Sequence, residues 1–180
     1  LSIILSTFML GLALGSFLAG RGIAAITAKT KRSAISWYAL TELLIGLSAS
    51  AVPALFAMGA TWLLPSGEMD SASYLVASAA IITLTILPPC LLMGATFPLM
   101  LAFLRERNDR SGTGFSYLYV ANVMGATAGV LMAAGVLIEV LGLQRTLLVA
   151  VGLNMMIALT SALVGLRAPR RLAGEADLDV

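Results

Sequence analysis

The chain has 180 residues, of which 59% are hydrophobic and only 11% charged, against about 25% charged in an ordinary soluble domain. A soluble fold of this size cannot hide that much apolar surface, so lipid is the expected solvent, and the net charge of +2 reflects loop placement and gives no reason to expect a nucleic-acid partner. With no His and a single Cys, Cys90, a Cys/His zinc site, an internal disulfide and any imidazole-based mechanism are excluded.

Five apolar segments are long enough to cross a bilayer, for which roughly 20 residues suffice. They run over about 1–20, 35–64, 74–104, 115–140 and 144–166. In lipid the backbone must satisfy its own hydrogen bonds, and the strict alternation of a barrel is absent, so all five are expected to be helices. The predicted fold is an all-α, polytopic transmembrane bundle.

The first segment starts at Leu1 inside an apolar run, without the basic start or small-residue cleavage site of a signal peptide. The chain therefore reads as a fragment whose own N-terminus is missing. Gly11, Gly15 and Ala19, with Ser16 and Gly20 in a second row, place small residues every four positions. Such faces let helices approach closely. The first basic cluster follows, at Arg21, Lys29, Lys31 and Arg32.

The second segment carries Glu42 about two turns in, where an ionised carboxylate is expensive unless paired, protonated or facing a polar cavity. Two interpretations stand side by side. Glu42 is a proton, cation or polyamine site, or it pairs with Arg21 or an inside-facing backbone group to fix the first two helices. Pro53 predicts a kink or tilt in this segment. The loop over 65–73 contains Glu68 and Asp70 and no basic residue.

The third segment holds 31 residues and includes Pro88, Pro89 and Pro98. Each proline removes a backbone donor and clashes with the preceding turn, so a bend or break is expected here. With Gly94 and Thr96, this stretch is either a hinge or a discontinuous helix exposing backbone groups to a ligand. The second basic cluster is Arg105, Arg107 and Arg110. Gly112-Thr113-Gly114 follows no strand and lacks the third glycine and the acidic residue of a dinucleotide loop. Ser111 or Thr113 capping the next helix is the simpler account.

The fourth segment repeats the small-residue theme at Gly125, Gly129 and Gly135, and the first and fourth helices are predicted to be a close-packed pair. Asn122 and Asn154, inside the fourth and fifth segments, suit hydrogen bonds between helices or a place in an intramembrane polar site. Glu139 and Arg145 flank the turn at Leu141-Gly142-Leu143 and are expected to pair. The third basic cluster, Arg167, Arg170 and Arg171, opens a charged tail over 167–180 that is too short to bury a core and reads as a linker.

Ten of the eleven Lys and Arg residues lie in the three clusters, and only Arg145 falls in a gap of the opposite parity. Cytoplasmic loops retain Lys and Arg, so the chain is expected to start outside and end in the cytoplasm. Trp37, Tyr38, Trp62, Tyr74 and Tyr117 near the segment ends suit the membrane interfaces. No nucleophile with a base and no metal cluster is present, so catalytic and metal residues are absent from the expectation.

These residues resemble a known pattern. FMLGLALGS at 8–16 with Gly20-Arg21, YALTELLIG at 38–46, LMGATFPL at 92–99, LYVAN at 118–122 with Gly125 and Gly129, and LGLQRTL at 141–147 resemble, in that order, the membrane domain of fused spermidine synthase-like proteins. In those proteins a bundle related to half of a major facilitator fold precedes an aminopropyltransferase domain. The similarity covers the chain to about Leu166. It implies a sixth helix before Leu1, and a cytoplasmic catalytic domain after Val180 that uses decarboxylated S-adenosylmethionine and a diamine. It further implies an inner-membrane location, a polyamine ligand and attachment to that catalytic domain, with no cofactor in the present chain. A half-size facilitator-type transporter, alone or as a homo-oligomer, and a purely structural helical module are the competing expectations.

Overall fold

The computed structural model describes residues 2–63, 70–107 and 113–167. They form helix α1 (Ser2–Thr30), α2 (Ala34–Leu63), α3 (Ser71–Glu106), α4 (Thr113–Met132), a π-helical segment (Ala133–Leu137) and α5 (Ile138–Arg167). Four helical stretches are long and apolar enough to cross a membrane: Ser2–Thr30, Ala34–Leu63, Ser71–Glu106 and the continuous path Gly114–Arg167. The chain is an all-α membrane protein. Its large apolar side chains point outward, with Leu84, Val140 and Leu166 exposed by 73%, 73% and 82%, which only a lipid solvent tolerates.

The helices overshoot the hydrocarbon core. At about 1.5 Å per residue, the 29, 30 and 36 residues of α1, α2 and α3 span about 44, 45 and 54 Å, against a core about 30 Å thick. Helix α1 runs ten residues past the predicted end at position 20, because Gly22 to Ile26 stays apolar and Arg21 lies back over the Phe17 ring, 4.2 Å from its centroid. It stops at Lys31, whose φ of 52° is the left-handed conformation that ends helices.

Where five separate segments were predicted, the last two form one helical path, Gly114–Arg167, interrupted at Gly142. Gly142 has φ 77° and ψ 166°, a conformation open to glycine and strained for other residues. Thr146 donates its hydroxyl to the Gly142 carbonyl at 2.9 Å. Glu139 and Arg145 stand exposed on either side, and no ion pair joins them among the described residues.

Of the bend or break expected at Pro88, Pro89 and Pro98, the break is not present: α3 continues as one helix from Ser71 to Glu106. A proline removes one donor without unseating the rest of a long helix, and the neighbouring helix α1 presses on this very stretch. Gly11 lies against Cys90, Gly15 against the Leu91 backbone, and Gly94 against the Leu12 backbone. Pro53 likewise sits inside the continuous α2.

Helices pack in the row α1–α3–α2–α5. Thr7 meets Thr83 at 3.3 Å, Gly15 meets Leu91, and Ile23 shares a core cluster with Leu99, so α1 and α3 are parallel. Gly59 lies against Ile81 at one end of the α2–α3 pair and Ala34 bonds Glu106 at the other, so these two are antiparallel. Helices α2 and α5 are also antiparallel, with Gly46 beside Met155 and Gly165 beside Ser36. The predicted pairing of the first and fourth helices does not occur. The Gly11/Gly15 stripe is used on α3, whereas Gly125 and Gly129 have no neighbour within 4 Å at their Cβ positions. Helix α4 meets the row at its start, where Phe115 sets its edge on Phe97 at 5.9 Å and stacks with Tyr119.

The tail beyond Arg167, Glu68 with its loop, Arg110, Ser111 and Gly112 lie outside the described residues.

Candidate functional site

Helix α2 buries one face, formed by Ile35, Ala39, Glu42, Ile45 and Gly46, at the three- and four-residue spacing of a helical stripe. Glu42 is only 7% exposed. The Tyr38 phenol, one turn earlier on the helix, is its electrostatic neighbour. Thr41, also buried, is satisfied within its own helix by donating to the Trp37 carbonyl at 2.9 Å.

Helix α5 closes the other side. Gly46 lies beside Met155 and the Asn154 Cβ, and Ser36 beside Gly165. In that antiparallel register Glu42 stands level with the turn of α5 carrying Ala158 and Ser161, both buried. Asn154 is half-buried at the Gly46 crossing, one turn of α2 from Glu42. Tyr38 itself packs against the Ile23, Ala34 and Leu99 cluster on the α3 side, so the α2–α5 seam holds a carboxylate, a hydroxyl and an amide in otherwise apolar surroundings, with the phenol at its α3 edge. Such a seam can hold a proton or an organic cation, because an ionised carboxylate at this depth needs a countercharge.

Of the four residues expected to make an intramembrane polar site, Glu42 and Asn154 come to the same helix pair. Arg21 does not join them, since it is exposed on α1 and stacked on Phe17. Among the described residues no ion pair joins Arg21 to Glu42, whose nearest electrostatic neighbour is Tyr38 on its own helix. Asn122 is exposed on α4, away from the seam. Pro88, Pro89, Gly94, Thr96 and Pro98 belong to the α1–α3 side, and the Thr96 hydroxyl is spent on the Met93 carbonyl at 2.7 Å. Tyr38 was expected only as an interfacial aromatic, yet its four-residue spacing from Glu42 puts both on one face.

A second polar constellation joins three chain segments at the helix ends. Glu106, in the last turn of α3, accepts the Ser33 hydroxyl at 2.5 Å and the Ala34 amide at 3.0 and 3.2 Å. A carboxylate from α3 thereby caps the N-terminus of α2, where free amides and the positive end of the helix dipole favour an anion. The residue was legible as an acid wedged between Arg105 and Arg107, an unexpected sign in a basic cluster.

Among the described residues no group of three His, Cys, Asp or Glu side chains could hold a metal ion. No family model, curated protein or solved structure matches this chain.

Proposed function

We propose that this chain is the membrane domain of a spermidine synthase-like protein, which holds a cytoplasmic aminopropyltransferase domain at the inner membrane and binds polyamine at the α2–α5 seam. The observation that carries the proposal is the buried Glu42 carboxylate, level with Ser161 and close to Asn154 of α5. An ammonium group supplies the countercharge that an apolar seam withholds. The segment resemblance supplies the enzyme class, and decarboxylated S-adenosylmethionine belongs to the attached domain as co-substrate.

In this proposal the chain crosses the membrane five times. The end of α3 and the C-terminal end of α5 stand at the same rim, since Ala34 bonds Glu106 and Ser36 adjoins Gly165. To enter α5 from the opposite side the chain must first climb away from that rim, and the 29 residues over 113–141 supply about 43 Å of helix for it. Retention of basic residues on the cytoplasmic side then puts this rim inside.

The test is binding of radiolabelled spermidine to the purified chain in lipid nanodiscs. Wild type is expected to bind saturably, Glu42→Gln to lose binding, and Tyr38→Phe to weaken it. Absence of binding by wild type, or equal binding by a folded Glu42→Gln variant, would refute the proposal. The same carboxylate suits a facilitator-type transporter, because it lies in a helix seam inside the membrane and not at its rim. Spermidine flux into proteoliposomes that disappears in Glu42→Gln selects that second function.

A further inference from the structure

The Glu106 clasp gathers charges that are far apart in sequence. Arg32 directly precedes Ser33, and Arg105 and Arg107 flank Glu106, so the three arginines surround one set of hydrogen bonds. Lys31 forms the left-handed turn beside them and Lys29 ends α1. Gly165 packs on Ser36, which brings Arg167 at the end of α5 to the same rim. All six basic side chains are exposed.

The only acid among the described residues of this rim is Glu106, and its carboxylate is engaged with Ser33 and Ala34. Asp70 stands at the far end of α3, and Glu139 lies beyond Gly142, which is itself about 35 Å along α5 from Gly165. Directly on the membrane side of the basic groups, Ile26, Leu40 and Leu166 expose apolar surface. The arrangement is a ring of cations above a greasy wall.

We propose that this rim is a binding site for an anionic phospholipid of the adjoining leaflet, its phosphate held by Lys31, Arg32, Arg105 and Arg107 and its acyl chains lying along the exposed helix faces. The occupant is a lipid because the cations sit at the membrane edge with apolar surface immediately below them. A soluble anion would use only the upper half of the site. Arginine forks suit a phosphodiester geometrically, and clustered basic residues at a membrane edge attract anionic headgroups. The site stands apart from the α2–α5 seam and does not depend on polyamine binding.

The test uses the whole chain in nanodiscs of phosphatidylcholine with and without phosphatidylglycerol. Lipid retained after detergent extraction is counted by native mass spectrometry. Wild type is expected to retain phosphatidylglycerol in preference to phosphatidylcholine. The combined variant Lys31→Gln, Arg32→Gln, Arg105→Gln, Arg107→Gln is expected to lose that preference by about tenfold or more. Replacing the three arginines by lysine should preserve most of it, and Arg145→Gln should leave it unchanged.

Equal retention of the two lipids by wild type overturns the proposal, as does undiminished preference in the folded combined variant. Thermal stabilisation by inorganic phosphate equal to that by phosphatidylglycerol overturns the lipid as occupant. Should the combined variant fail to fold, wild type is titrated with salt. Retained phosphatidylglycerol must then fall as ionic strength rises, and salt-independent retention refutes the site.

Discussion

Replacing a glycine by alanine should have opposite effects on the two small-residue stripes. At Gly15 an added Cβ would collide with the Leu91 carbonyl and main chain, and at Gly94 with the Leu12 carbonyl and main chain. Neither neighbour is a flexible side chain, so no rotamer change relieves the clash and α1 must move off α3. Overpacking of this kind costs about 1–3 kcal/mol, while glycine to alanine in a helix returns up to about 1 kcal/mol. The net expectation for Gly15→Ala or Gly94→Ala is a loss of about 1–2 kcal/mol. At Gly125 and Gly129 nothing lies within 4 Å, so only the propensity gain remains, up to about 1 kcal/mol. Reversible unfolding in mixed micelles with rising SDS, followed by circular dichroism and by Trp37 and Trp62 fluorescence, measures all four. Destabilisation of the same sign and size on both stripes would refute the assignment of α3, and not α4, as the partner of α1.

The Glu106 clasp makes a second prediction. Glu106→Ala removes a charged cap from the start of α2 and should cost about 2 kcal/mol, whereas Glu106→Gln keeps one acceptor and should cost about half as much. Hydrogen exchange of the amides of the first turn of α2 checks this, and unchanged protection in Glu106→Ala would count against it. A third concerns pH. Asp70 precedes α3, accepts the Tyr74 amide at its carbonyl at 3.1 Å, and has its carboxyl held below the usual carboxylate range chiefly by the Ser73 hydroxyl, against an opposing desolvation and with lesser help from the Ser73, Asp70 and Ala72 amides. A lowered folded pKa means that the ionised form supports the helix start above the ordinary carboxylate range and that this support fades as pH falls through the folded value. Exchange protection at the start of α3 should therefore hold at neutral and mildly acid pH and drop in strong acid. Asp70→Asn should abolish that drop, and a drop that persists in the variant points to another group.

Much of the architecture was readable from local features. Apolar run lengths at 35–64 and 74–104 locate α2 and α3 closely, because a helix in lipid is fixed by its own composition and internal hydrogen bonds. Gly142 marked the interruption between the last two segments because a positive φ is a property of one residue. Glu42 stood out by its cost in lipid, which needs no knowledge of neighbours. Three proline positions left a bend and a break open, and the break does not occur. The expected break assumed an isolated helix, and it is the close seat of Leu12 and Gly15 on α3 that accompanies an unbroken course.

Sequence alone determined the lipid solvent, the helical class, the position of the long helices and the out-of-place carboxylate, since each depends on composition within a few turns. Partnership was decided only in three dimensions. The stripes at Gly11/Gly15 and Gly125/Gly129 are equivalent as sequence, yet one is packed on α3 and the other is open. Arg21 and Glu42 looked like a pair across a short loop, but the guanidinium settles on Phe17 while the carboxylate is buried within the helix row. Which helix faces which depends on backbone approach between residues some 75 positions apart, as at Thr7 and Thr83, and no local pattern encodes that choice.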